Sequence, residues 1–205
     1  IAYKAMIVNI SDAIVMNAIP KYALLSVAIP KSYSNEDLKE LAKGFKKAAS
    51  EFGIEIIGGD TISNEKLDIS VTIISKVSNP IYRKGMNKGD ILCYTGTLGL
   101  CKIYLERLFK NKEVPKKSKF IKPILNADFF YEIAPLITTS MDISDGLFFE
   151  LERLSKANKL GFEFFHKIDE EIGTSGEEYE ILFSFNENNL EKIKKIALKH
   201  KVKLN

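Results

Sequence analysis

Between two short apolar runs, Tyr22 to Ile29 and Ile54 to Ile57, the residues Leu38, Leu41, Ala42, Phe45 and Ala48 recur at helical spacing. A helix with one apolar stripe cannot hide that stripe alone, so the flanking runs are expected to be strands of a sheet that covers it. Ser34 or Asn35 supplies the N-cap of this helix over 35–51, and Gly53 falls just past its end. Residues 2–18 predict a preceding helix with Ala5, Val8, Ala13 and Met16 apolar, stopped by Pro20. Tyr22 to Ile29 alternates too little for a surface strand and reads as a buried one. The run 54–57 predicts a short strand that delivers Gly58, Gly59 and Asp60 to its end. Leu67 to Val77 predicts a long strand with Ile69, Val71 and Ile73 on one face.

Asn79, Pro80 and the polar stretch Arg83 to Asp90 read as a crossing between domains. Beyond them the pattern predicts a strand over 91–94, a turn at 95–99 and a helix over 100–109. Lys110 to Lys119 reads as a solvated loop. Helices over 127–134 and 147–156 flank an extended segment ending at Asp142, strands follow over 162–165 and 179–185, and an amphipathic helix over 189–200 closes the chain. The fold class is therefore α/β (α+β), with an N-terminal domain over 1–80 and a C-terminal domain over 81–205.

Hydrophobic residues at 45% and charged ones at 28% exclude disorder. A net charge of +3 with scattered basic residues makes no demand for nucleic acid. No apolar run approaches the roughly 20 residues of a membrane span. Cys93 and Cys101 stand outside any C-x-x-C spacing and read as reduced thiols of a cytoplasmic protein. With only His166 and His200, a His-based zinc site is not expected. The chain opens on Ile1 rather than Met, as a portion of something longer would.

The chemistry gathers in acidic turns. Asp142, Ile143, Ser144 and Asp145 put two carboxylates and a hydroxyl around a bend at a strand end, a hard-oxygen set suited to Mg²⁺, which takes one or two carboxylates together with substrate phosphates. Asn9 to Asp12 and Gly58 to Thr61 offer the same chemistry from distant parts of the chain, so a phosphate site assembled in space is expected. Gly58 and Gly59 permit close backbone approach to a ligand, or simply make a strand-to-loop turn. Thr95 to Gly99 can present amides to a phosphate at the following helix, although an ordinary turn is the commoner outcome. Arg83 can clamp phosphate, or be a surface arginine. Asp12 can equally be a solvated acid, and Glu177, Glu178 and Glu180 a solvated strand entry. No G-x-x-x-x-G-K-[ST] run exists, so a nucleotide enzyme built on this chain must neutralise phosphates chiefly with metal.

The ordered set V-N-I-S-D (8–12), Met16 to Pro20, G-G-D-T (58–61), Arg83 through G-x-x-x-G-D (85–90), T-G-T-L-G (95–99), D-I-S-D-G-L (142–147) and G-E-E-Y-E-I-L-F (176–183) resembles the thiamine-monophosphate kinase family. That family belongs to the superfamily of aminoimidazole ribonucleotide synthetase, selenophosphate synthetase and a hydrogenase maturation protein. The resemblance implies a two-domain fold whose N-terminal domains pair in a homodimer through a shared β-barrel. It implies direct transfer of the γ-phosphoryl group of ATP to thiamine monophosphate, with no general base. Carried over by position, Asp12, Asp60, Asp142 and Asp145 are metal ligands, Gly59, Asp60, Arg83 and Ser144 lie at ATP, and Glu177 meets the thiamine end of the acceptor.

Four departures accompany the resemblance. Family members carry a glycine-rich segment and an aspartate pair that would precede Ile1, and an aromatic-bearing segment that would follow Asn205. The stretch from Phe165 to Gly176 is shorter than usual, and Glu178 stands where the family usually has Asp. The alternatives to a thiamine-monophosphate kinase are another ATP-using member of the superfamily and a truncated, non-catalytic nucleotide-binding dimer.

Overall fold

The computed structural model describes all 205 residues. They form two compact units, one of residues 1–14 and 18–78, the other of 15–17 and 79–205.

In the first unit α1 (Ala2–Val15), β1 (Ile19–Pro30), α2 (Asn35–Glu51), β2 (Glu55–Asn64) and β3 (Asp68–Lys76) follow in chain order. The helix expected over 2–18 stops at Val15, because Asn17 turns into the left-handed region at φ 59°. Helix α2 keeps the expected bounds. Ser34 is its N-cap: the hydroxyl accepts from the Asp37 amide at 3.2 Å, and the Asp37 carboxylate accepts from the Ser34 amide at 2.9 Å. That reciprocal pair satisfies two amides the first turn would otherwise leave open. Phe45, Ala48 and Ala49 of α2 are buried, as are Met6, Ile7, Ile10 and Ile14 of α1. The two helices approach closely at Gly44, where a Cβ would stand 2.9 Å from that of Ala2.

The sheet of this unit has the order β2-β1-β3, with β1 parallel to β2 and antiparallel to β3. It departs from the sequence reading in two places. Strand β1 is central yet not buried throughout: Ala23 and Val27 face the core while Tyr22 and Leu24 stay exposed. One face of the sheet is open. Strand β2 does not end before the glycines but runs through Gly58, Gly59 and Asp60, which pair with Leu24, Leu25 and Ser26. At Gly59, with φ 146°, a Cβ would overlap the Leu25 carbonyl, so this glycine admits the neighbouring strand. Strand β3 behaves as read, with Ile69, Val71 and Ile73 half-buried on one face.

The second unit comprises β4 (Ile91–Tyr94), α3 (Leu100–Phe109), α4 (Ala127–Ile133), β5 (Ile137–Asp142), α5 (Leu147–Asn158), α6 (Glu170–Gly173), β6 (Ile181–Phe185) and α7 (Leu190–His200). Its sheet is antiparallel with the order β4-β6-β5. All five residues of β6 are buried. Phe183 meets Phe129 of α4 edge-on at 6.2 Å between centroids, and α4 packs on α7. Leu182 joins Leu98, Met141, Ile143, Leu147, Leu151 and Leu154 in a second apolar cluster, which seats α5. The expected strand over 162–165 is absent; those residues are irregular and Phe164 and Phe165 are exposed, having no strand to pair with. The expected strand start at Tyr179 also moves, to Ile181, since Tyr179 holds φ 51°. No helix is long and apolar enough to cross a membrane.

Candidate functional site

In the second unit, β5 ends on buried Asp142 and the chain bends through Ile143, Ser144 and Asp145 into α5. Alongside runs the segment from Gly176 to Glu180 that leads into β6. Three backbone hydrogen bonds join them: the Ile143 amide to the Glu180 carbonyl at 2.8 Å, the Tyr179 amide to the Ile143 carbonyl at 2.9 Å, and the Glu177 amide to the Ser144 carbonyl at 2.7 Å. Gly176 makes this approach possible, for a Cβ there would lie 2.9 Å from the Ser144 carbonyl oxygen. Two acidic motifs more than thirty residues apart in the chain thus become one surface. Asp142, Ser144, Asp145 and Glu177 are brought together.

The bend is braced by two residues that the sequence reading did not select. Glu150, fully buried, reaches back from the first turn of α5 and accepts from the Asp145 amide at 3.1 Å and from the Ser144 hydroxyl at 3.4 Å. Arg153 donates to both Glu150 oxygens, at 3.0 and 2.8 Å, and to Asp145 Oδ2 at 2.6 Å. Bonding to Asp145 and then Glu150 raises the Arg153 pKa above its ordinary value. Asp145 makes no capping bond to α5, whose N-cap is Gly146, so the helix-cap role is not the one it plays. The i,i+3 spacing of Glu150 and Arg153 was visible in the sequence; their attachment to Asp145 was not.

The E-E-Y-E run does not behave as a solvated strand entry. Glu178 and Glu180 are buried, and Glu177 is half-buried with its carboxylate accepting the Tyr179 hydroxyl at 3.0 Å. Glu178 Oε1 accepts from the Gly99 amide at 2.7 Å, the Cys101 amide at 3.3 Å and the Ser175 hydroxyl at 2.6 Å. The Lys102 amide goes to Ser175 at 3.1 Å. The start of α3 after T-G-T-L-G is therefore filled by the protein's own carboxylate, and its amides are not offered to a phosphate. Lys119, read as part of a solvated loop, is instead ion-paired with Glu178 Oε2 at 2.6 Å and Glu180 Oε1 at 2.9 Å. The contact with Glu178 lies off the hydrogen-bond direction and is an ion pair only. Burial lowers the Lys119 pKa, but the Glu180 charge, the close contacts with both carboxylates and the Glu178 charge outweigh it, and the net direction is upward.

Arg83 is exposed; its carbonyl accepts from Asn158 at 2.8 Å, and Asn158 Oδ1 takes the Gly85 and Met86 amides at 2.9 and 3.0 Å. The stretch 83–86 is thus pinned to the end of α5 while the guanidinium faces solvent. In the first unit Asp12 lies exposed in the last turn of α1, where no basic residue stands and the helix dipole disfavours an acid. Asp60 lies exposed on edge strand β2 beside Gly59, its Oδ1 accepting from the Thr61 amide at 2.8 Å. Within neither unit do three His, Cys, Asp or Glu side chains gather into a cation cage. One or two carboxylates without a full cage suit Mg²⁺ that arrives with nucleotide phosphates better than a permanently bound ion.

Residues 1–77 match the family described as AIR synthase related protein, N-terminal domain. The thiamine-monophosphate kinase of Nitrosopumilus maritimus (strain SCM1) is 30% identical over 96% of this chain and 69% of its own length. That of Buchnera aphidicola subsp. Schizaphis graminum is 31% identical over 98% and 69%. Among solved structures, AaThiL complexed with AMPPCP and TMP superimposes with a TM-score of 0.81 at 27% identity, covering 91% of this chain and 68% of that one. The hydrogenase maturation protein HypE of E. coli shares the fold, with a TM-score of 0.78 at 19% identity over 97% of this chain and 69% of its own.

Proposed function

The chain belongs to the thiamine-monophosphate kinase family, and from that premise we propose that it phosphorylates thiamine monophosphate to thiamine diphosphate at the expense of ATP. The observation that carries this reading is the joining of the Asp142 to Asp145 bend with Gly176 to Glu180, which brings that acidic bend beside Glu177. A phosphate oxygen of the acceptor forms the new bond to the γ-phosphorus, the bond to the β,γ-bridging oxygen breaks, and ADP leaves with that electron pair. The acceptor oxygen is already anionic, so no side chain need remove a proton, and positioning dominates.

Two unit charges about 4 Å apart repel by roughly 4 kcal/mol at an effective dielectric near 20. Mg²⁺, when bound, supplies the compensating charge; within the second unit Asp142 and Asp145 are the residues to hold it, and within the first Asp12 and Asp60. Glu150 and Arg153 fix the Asp145 backbone and hold its carboxylate in an exchangeable ion pair. Gly59, Arg83 and Ser144 serve ATP, and Glu177 faces the cationic thiamine end of the acceptor.

The chain acts as a homodimer through its first unit, whose two sheets, one from each copy, close into a barrel. The open sheet supports this reading: Tyr22, Leu24, Ile57, Ile62 and Ile74 are exposed on it, and β2 is an unpaired edge. A coupled ADP-release assay with ATP, Mg²⁺ and either thiamine monophosphate or free thiamine tests the function. Turnover of the monophosphate alone is expected; equal turnover of both would overturn direct transfer to an acceptor phosphate.

A further inference from the structure

In the run Glu177, Glu178, Tyr179 and Glu180 the side chains alternate. Glu177 and Tyr179 bond to each other at 3.0 Å, while Glu178 and Glu180 turn inward onto a single ammonium, that of Lys119. The backbone pays for this alternation, since Glu177 and Tyr179 sit at φ 60° and 51°, in the left-handed region that side chains other than glycine's disfavour. Such a conformation persists only where its neighbours are held. Glu178 is held by the α3 amides and Ser175, and Glu180 Oε2 by the Thr95 hydroxyl at 2.7 Å, which in turn accepts from the Ile181 amide at 2.9 Å. Lys119 is the cation shared between them, and its ammonium also bonds the Thr97 carbonyl.

We propose that Lys119 is a positioning residue for the acceptor site: by drawing Glu178 and Glu180 inward together, it fixes the backbone of Glu177 and so sets affinity for the thiamine end of the substrate. The proposal rests on the kinase reading of Glu177. Two carboxylates share one lysine here, so the cluster already carries a surplus negative charge. Without the lysine, Glu178 keeps its helix amides but Glu180 keeps one hydroxyl, and a buried carboxylate so poorly compensated must move toward water. Its movement carries the strained segment with it. The loop 110–119, whose Lys119 stands 58 residues before Glu177, thereby contributes to that site through one side chain.

The test is calorimetric binding of thiamine monophosphate, with steady-state kinetics, for the wild type, Lys119→Met and the double variant Lys119→Met with Glu180→Gln. Lys119→Met is expected to weaken thiamine monophosphate binding by roughly tenfold or more, while KM for ATP changes less than about twofold. The double variant restores the original charge sum, because one carboxylate is lost along with the ammonium; Gln also keeps an oxygen for the Thr95 hydroxyl, and affinity is expected within about threefold of wild type. Unchanged binding in the single variant refutes the proposal. So does a folded double variant whose affinity stays lost, and this arm decides the matter even if the single variant fails to fold. A wild type that binds no thiamine monophosphate overturns the kinase reading, and the role of Lys119 with it.

Discussion

Asp145→Asn separates a cation ligand from a structural acid, because the structure bounds what each role is worth. The Asp145 carboxylate is 56% exposed and pairs with Arg153, itself 45% exposed, at 2.6 Å. An ion pair open to solvent to this degree contributes about 0.2–1 kcal/mol. Arg153 retains both Glu150 oxygens after the substitution, and the Asp145 backbone amide retains Glu150, so the bend keeps its brace. The expected loss of stability is therefore at most about 1 kcal/mol, a melting shift of roughly 2–4 °C for a chain this long. Helix α5 loses no cap, because Asp145 supplies none. Turnover should fall much further. Asparagine removes the unit charge that draws Mg²⁺ toward the transferring phosphoryl group, and loss of one preorganised electrostatic partner costs on the order of 10²–10³ in kcat. Raising Mg²⁺ should recover part of the activity, since a weakened ligand set binds the ion at higher concentration. The assay is kcat over a Mg²⁺ titration beside a thermal melt. Unchanged turnover with unchanged Mg²⁺ dependence would refute the reasoning and leave Asp145 as a surface partner of Arg153.

Gly59→Ala should destabilise the first unit by at least about 2 kcal/mol, measured by urea unfolding, because its Cβ overlaps the Leu25 carbonyl and its φ of 146° is strained for alanine. Burial pushes the Cys93 thiol up to about 11 from 9.0, the Lys194 charge opposing only in part, so at pH 9 iodoacetamide should alkylate Cys93 roughly fifty times more slowly in folded than in unfolded protein. The sign for stability follows: the neutral buried thiol contributes below pH 9.0, and that contribution is lost as pH rises towards about 11, a decline that pH-resolved melts will show. Ile62→Lys, at a side chain 59% exposed on the open sheet, should shift the protein to monomer in light scattering while its thermal melt is retained; an undisturbed dimer would remove this face from the interface.

The elements that sequence determined by itself are those whose cause is local. Helix α2 kept its expected bounds because Ser34, Asp37 and the apolar stripe act within single turns of one another, and β3 showed its inward face because side chains on a strand alternate whatever the partner. The acids at Asp142, Asp145 and Glu177 were legible as residue types suited to a cation or a charged ligand. What they touch was not. Strand β2 runs through Gly58 and Gly59 because β1 lies parallel beside it, and the stretch 162–165 is no strand because nothing pairs with it. Glu178, in a run that reads as solvated, caps a helix 79 residues earlier at Gly99, and Lys119, in a loop that reads as solvated, neutralises acids 59 and 61 positions later. A charge's neighbours in sequence set its chance of meeting water; only the folded chain decides whether it meets another charge first, and in a desolvated place that meeting outweighs any local preference.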